Sequence, residues 1–193
     1  MRIGVFGGSF DPVHRAHLAV AEQAARELAL DEIRFLPARL QPLKTDGPQA
    51  GADHRAAMLQ AAIAGTPGWT VDLREIHRPG PSYTIDTLRE LKVERPRDQL
   101  FLLVGADSAR DLPRWREGDA VQRLATVVVV PRPGVSVPPL PPPALTLNLD
   151  PIDLSATAVR SALANGQKID HLVPAAVADY IAAHRLYRPG AAC

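Results

Sequence analysis

Two histidines, His14 and His17, follow a stretch whose other residues prepare a place for an anion. The chain opens Met1-Arg-Ile-Gly-Val-Phe-Gly-Gly-Ser-Phe-Asp-Pro-Val-His-Arg-Ala-His17. Arg2 to Phe6 alternates as a short buried strand does, and Gly7-Gly8 turns the chain where no Cβ is tolerated. Asp11-Pro12 carries a helix-start signal, because Asp accepts orphan amide hydrogens and Pro at the first helical position loses no bond. Strand, glycine turn and helix start bring free N–H groups and the positive end of a helix dipole to one spot, which favours a phosphate. Residues 14 and 17 share a helical face, and helical side chains lean toward the N-terminus, so both imidazoles are aimed as donors at that anion. Other uses of these residues exist. A Gly-Gly turn after a strand is common, and two histidines at this spacing also suit a zinc pair, although no cysteine or nearby second carboxylate completes a ligand set. The Walker pattern and the Gly-x-Gly-x-x-Gly fingerprint are absent, which argues against a P-loop ATPase and a dinucleotide-dependent oxidoreductase.

A second helix start lies far along the chain. Ser155 stands where an N-cap should, with Thr157 and Arg160 in the next turn and a half. A cation near a helix N-terminus is disfavoured by roughly 0.3–1 kcal/mol without a partner, so Arg160 fits best with an anion between it and the amides. An arginine reaching into solvent is the plain alternative.

The elements that must position these residues read as alternating strands and helices. The first helix runs to about Leu30 on Leu18, Ala21, Ala25 and Leu28, and Glu32 to Pro37 is the next strand, so the crossover is right-handed and the sheet parallel. Arg39 to Gly51 is a polar loop on the carboxyl side of that strand, the side where ligands bind. Asp53 to Gly65 is a helix, Thr70 to Ile76 a strand, Ser82 to Glu94 a helix and Leu100 to Val104 a buried strand ending in a second glycine turn, Gly105-Ala106-Asp107-Ser108. A short helix reaches Leu124, and Thr126 to Val130 is a β-branched strand covered on both faces. The five prolines among residues 138–143 form a stiff connector, or an SH3-type ligand. Leu145 to Leu149 is a last strand, followed by a helix from Ser155 to Asn165-Gly166 and another from Pro174 to Leu186.

Composition narrows the class. At 193 residues with a net charge of +1 and interspersed charges, the chain suits one domain and shows no electrostatic footprint for extended nucleic-acid binding. The one cysteine, Cys193, excludes an intramolecular disulfide framework and points to a reducing compartment. No apolar run of membrane-spanning length and no targeting pattern is seen, so the expected location is cytoplasmic, with no membrane partner. Nothing in the sequence marks the oligomeric state.

Gly7-Gly8-Ser9-Phe10-Asp11-Pro12-Val13-His14-Arg15-Ala16-His17 resembles the signature of the nucleotidyltransferase superfamily, in which two histidines flank any residue and a glycine. Ala16 stands where that glycine is usual. Leu154 to Arg160 is similar to the superfamily's second signature. Ser82 to Leu88, Gly105 to Ser108 with Leu112-Pro113-Arg114-Trp115, and Tyr180-Ile181 with Leu186-Tyr187 resemble bacterial nicotinate-mononucleotide adenylyltransferases, over nearly the whole chain.

The resemblance implies an α/β fold, a single-domain doubly wound Rossmann-like parallel sheet over residues 1–193 with a helical C-terminal subdomain from about 151 to 193. It implies transfer of AMP from ATP to nicotinate mononucleotide, giving the dinucleotide and pyrophosphate, with Mg²⁺ carried by ATP. His14 and His17 would act on the α and β phosphates. Gly8, Ser9, Lys44, Ser155, Thr157 and Arg160 would hold the ATP phosphates, and Phe10, Gly105 and Asp107 the nucleotide and its ribose. Tyr83, Thr84 and Trp115 would receive nicotinate mononucleotide, with the indole stacked on the pyridine ring; a packed surface aromatic is the other reading of Trp115. Lys44 usually follows a histidine in the family, and Leu43 holds that position here. A sister enzyme with another acceptor, or a non-catalytic nucleotide-binding module, would share the phosphate machinery.

Overall fold

Alternation of apolar residues sets the framework. The computed structural model describes residues 1–43, 47–141 and 143–188. Its strands are β1 (Arg2–Gly8), β2 (Glu32–Pro37), β3 (Trp69–Val71), β4 (Gln99–Gly105), β5 (Thr126–Val130) and β6 (Ala144–Thr146). They form one sheet in the order β3-β2-β1-β4-β5-β6, and every pairing is parallel. The helices are α1 (Arg15–Glu27), α2 (Ala52–Ile63), α3 (Arg74–His77), α4 (Thr84–Glu94), α5 (Ala106–Arg110), α6 (Gly118–Leu124), α7 (Ala156–Ala164) and α8 (Ala175–Ala183).

Because successive strand residues point to opposite faces, the sheet builds two cores. Ile3, Val5, Leu100, Leu102, Val104, Val127 and Val129 meet Ile85, Leu88 and Leu91 of α4 on one face. Phe6, Phe35, Phe101, Leu103 and Val128 meet α1, α2, α7 and α8 on the other, through Val20, Ala24, Met58, Val159 and Ile181. Each of these larger side chains contributes about 1.5–3 kcal/mol on full burial, so the register of the central strands is firmly set. Phe6 lies opposite Phe35 on one side and Leu103 on the other. The C-terminal helices share a core with α1 and α2.

A fully parallel sheet puts every strand's carboxyl end on one edge. The strand order reverses between β1 and β4, and there the loops diverge and leave a crevice. The residues after β1, β2, β4 and β5 therefore face one another across that edge.

Three of the boundaries that differ from the sequence reading have a visible cause. The helix expected to start at Asp11-Pro12 starts at Arg15, with His14 as its N-cap, because Asp11 is engaged with a distant loop. The strand expected over 70–76 ends at Val71. There Asp72 Oδ1 accepts from the Arg74 N–H and turns the chain into the short α3. The last strand covers Ala144–Thr146 rather than 145–149. The Asn148 N–H, which could have continued the ladder, donates instead to the Glu27 carboxylate at 3.0 Å. Residues 136–141 carry no helix or strand, as expected of a proline connector.

Candidate active site

The β1–α1 turn brings the two imidazoles into face contact. His14 and His17 have ring centroids 3.7 Å apart at an interplanar angle of 27°. The His14 N–H donates to His17 Nδ1 at 3.2 Å, and the His17 N–H to the His14 carbonyl at 2.9 Å, so one side chain caps the turn from which the other begins the helix. Phe10 has a left-handed φ of 48° and turns its ring inward, 5.0 Å from that of His17 and 5.6 Å from that of Phe6. That buried ring fixes the rotation of His17 and leaves only the Phe10 backbone at the turn. Gly8 and Ser9 lie at the end of β1. The Gly8 carbonyl accepts from the Ala38 N–H, and the Ser9 carbonyl accepts from Arg55 Nη1 at 2.7 Å.

His14 is buried, and its Nδ1 has no hydrogen-bond partner. Burial first, and then the nearby Arg132 charge, lower its pKa to about 4. It is a neutral imidazole at pH 7, able to donate one N–H without adding charge.

Asp11 joins the two helix starts that the sequence showed far apart. Its carboxylate accepts from the Gln49 N–H at 2.7 Å, the Ala50 N–H at 3.0 Å and the Tyr187 hydroxyl at 2.8 Å. From α7, Arg160 Nη1 donates to the Asp11 carbonyl at 2.7 Å and lies 3.7 Å from Oδ2. Arg160 Nη2 also donates to Thr157 Oγ1 at 3.2 Å. Ser155 caps α7 as expected, its Oγ accepting from the Ala158 N–H at 3.1 Å. The guanidinium of residue 160 is thus fixed to the same turn that carries both histidines.

The β4–β5 side completes the rim. Gly105 ends β4, and a Cβ there would come within 2.6 Å of Asp107 Oδ1 and 2.9 Å of Arg132 Nε, so a larger residue would have to push that side-chain pair aside. Asp107 holds Arg132 at 3.5 Å. Arg132 follows β5 and is the cation that acts on His14.

Tyr83, Thr84 and Trp115 gather on the other face of the sheet. Tyr83 precedes α4 and Thr84 is its first residue; Tyr83 and Trp115 both pack against the core beneath. The Arg116 guanidinium lies 4.9 Å from the centroid of the Tyr83 ring and pairs with Asp86 at 3.3 Å, bringing the Trp115 segment beside the start of α4. Ser82 ties this start to the loop after β2: its N–H donates to the Leu40 carbonyl, and its Oγ accepts from the Arg39 N–H.

Lys44 lies outside the described residues; its neighbour Leu43 is 47% exposed. Ala16 is buried in line with Val20 and Ala24 on α1. Sequence reasoning missed three participants. Arg55 is 1% exposed and donates to the carbonyls of Ser9, Ala38 and Ala50; its one signal was an arginine on the face of Met58 and Leu59, at i+3 and i+4. Asp11 was read as a local cap. Arg132 has no local pattern that marks it.

Residues 5–162 match the model of the cytidylyltransferase-like family. A protein of Thermus thermophilus named probable nicotinate-nucleotide adenylyltransferase is 45% identical, the match covering 97% of this chain and all of that one. A protein of the same name from Roseiflexus sp. RS-1 is 43% identical over 96% of this chain and 98% of its own. Among solved structures, nicotinic acid mononucleotide adenylyltransferase of Plasmodium falciparum, complexed with NaAD, superposes with a TM-score of 0.78. Its identity is 20%, and the match covers 96% of this chain and 97% of the other.

Proposed function

Because this chain belongs to the cytidylyltransferase-like family and, within it, to the nicotinate-nucleotide adenylyltransferases, we propose that its crevice joins ATP to nicotinate mononucleotide. An oxygen of the acceptor's 5′-phosphate attacks the α-phosphorus of ATP. The bond from that phosphorus to the bridging oxygen breaks, and pyrophosphate leaves with the electron pair. Such a transfer needs alignment and charge neutralisation more than covalent help, and alignment alone contributes about 7–11 kcal/mol.

The chain's groups suit that division of labour. The stacked imidazoles of His14 and His17 donate to the α and β phosphates, where charge builds in the transition state. Gly8, Ser9, Ser155, Thr157 and Arg160 hold the departing pyrophosphate, and Arg160 arrives pre-oriented by its bonds to Asp11 and Thr157. Gly105 and Asp107, with the backbone of Phe10, line the nucleotide and ribose side. Tyr83, Thr84 and Trp115 take the pyridine ring, the indole by stacking and the amides at the start of α4 by donating to its carboxylate. Mg²⁺ enters with ATP as part of the substrate, since this ion keeps several waters and needs few protein ligands. A cytoplasmic site of action fits a sequence with one cysteine; among the described residues no helix is long and apolar enough to cross a membrane.

The observation that carries the reading is the tie between α7 and the histidine turn, Arg160 to Asp11 at 2.7 Å. Pyrophosphate release with MgATP and a panel of acceptors tests it. Turnover with nicotinate mononucleotide well above that with phosphopantetheine or alcohol phosphates supports the proposal. ATP binding without pyrophosphate release for any mononucleotide would reduce the protein to a binding module.

A further inference from the structure

Six polar or charged side chains are buried among the described residues: Asp11, His14, Arg55, Glu75, Ser82 and Thr87. The first three belong to the histidine turn and its support. The other three form a second cluster beneath the start of α4, which the reaction chemistry does not use directly.

Glu75 sits on α3 and is 7% exposed. Thr87 Oγ1, in the first turn of α4, donates to Glu75 Oε1 at 2.8 Å, and Arg78 Nη1 donates to the same hydroxyl at 3.2 Å. Ser82, the third buried group of the cluster, helps to draw the Glu75 carboxyl back down against its burial. Ser82 Oγ in turn accepts from the Arg39 N–H at 2.9 Å, while the Ser82 N–H donates to the Leu40 carbonyl at 2.9 Å. The Glu75 carboxyl therefore grips Thr87 on one side of Tyr83, Thr84, Ile85 and Asp86, while Ser82 on the other side is anchored to the loop at the carboxyl end of β2.

A buried carboxyl is a poor device for stability alone, since an apolar group of similar shape serves as well or better. It is a good device for fixing geometry, because every bond it makes has a direction. Burial pushes the Glu75 carboxyl above its ordinary range, against the opposing pull of the Thr87 hydroxyl and Arg78.

We infer that Glu75 is a positioning residue for the acceptor, holding Thr87 and with it the start of α4 so that the Tyr83-Thr84 amides and ring stand at a fixed distance from Trp115. The inference rests on the reading of Tyr83, Thr84 and Trp115 as the mononucleotide pocket. ATP, held at the histidine turn and α7, is outside its reach.

Initial rates over a grid of MgATP and nicotinate mononucleotide concentrations test it with Glu75→Ala, Glu75→Gln and Thr87→Val. Glu75→Ala should raise KM for the mononucleotide about tenfold and leave KM for ATP within about twofold, the effect of losing oriented bonds at one substrate only. Glu75→Gln keeps an acceptor of the same shape and should return that KM to within about threefold of the parent. Should Glu75→Ala give no folded protein, Thr87→Val, which removes the one hydroxyl that donates to Glu75 at nearly constant shape, carries the test with the same one-sided shift. Equal shifts in both Michaelis constants, a loss confined to kcat, or a glutamine variant no better than alanine would overturn the inference while leaving the activity standing. A parent protein that forms no dinucleotide would overturn the activity and the inference together.

Discussion

Arg160→Ala gives the sharpest test of the phosphate site. One Nη1 hydrogen of Arg160 is committed to the Asp11 carbonyl and one Nη2 hydrogen to Thr157 Oγ1. That leaves the Nε–H and one hydrogen on each Nη for a ligand. Hydrogen bonds to charged groups are worth about 1.5–3 kcal/mol each, so a forked contact with a phosphate amounts to roughly 3–6 kcal/mol. Removing it should lower kcat/KM for ATP by about 10² to 10⁴, with KM for nicotinate mononucleotide close to the parent value. Arg160→Lys keeps the charge but loses the fork and the bracing by Asp11, so it should fall between, about 10- to 100-fold down. The measurement is the initial rate of pyrophosphate release with each substrate varied in turn, alongside thermal melts to confirm that both variants fold. A kcat/KM for ATP within threefold of the parent in Arg160→Ala would refute the reasoning, because nothing else about this guanidinium explains its fixation on the histidine turn.

His17→Ala should depress kcat far more than it weakens binding of either nucleotide, as expected of a group that acts on the transition state; a variant with near-normal turnover removes His17 from the mechanism. Trp115→Ala should raise KM for the mononucleotide and spare that for ATP, and an equal rise in both would contradict the stacking assignment. His14 predicts an acid limb of stability. Its folded pKa of about 4 lies below the ordinary value of 6.5, so the unfolded chain binds the proton more readily between those values. The stabilisation is complete above pH 6.5 and is lost as pH falls toward 4, amounting to about 3 kcal/mol at the limit. Urea unfolding from pH 7 to 4 should show a flatter acid limb in His14→Gln than in the parent, and parallel limbs would remove His14 as its source.

Much of the architecture was legible because it is local. The β-branched run Thr126 to Val130 and the N-cap Ser155 each declare themselves within a few residues, and the parallel order follows from short crossovers; Gly7-Gly8, expected as a turn that tolerates no Cβ, instead ends β1, and a Cβ on Gly7 would meet open space. Asp11 shows where local reading stops. An Asp before Pro is a good cap in isolation, yet here its oxygens are taken by residues 49, 50 and 187, and the helix waits until Arg15. The strand expected beyond Val71 failed for a nearer reason, the Asp72 turn into α3. The candidate site was legible where it has motifs, at the imidazole pair and Ser155 to Arg160. Arg55, Arg132 and Glu75 escaped because each takes its meaning from partners distant in the chain or on another element. No spacing rule links Arg132 to His14, or a carboxylate on α3 to a hydroxyl on the next helix.

The bond from the Tyr187 hydroxyl to Asp11 spans 176 residues of chain. A polypeptide emerging from the ribosome can lay down β1, β2 and α1 early, but the carboxylate that braces its first turn must wait for a hydroxyl made 176 residues later. Closing so long a loop is entropically only a little harder than closing a modest one, since the cost grows with the logarithm of length. The delay is therefore one of synthesis rather than of search: half-made copies carry both imidazoles on a turn held only by the Gln49 and Ala50 amides, and the bond from Tyr187 to Asp11 forms only once that distant tyrosine has been translated.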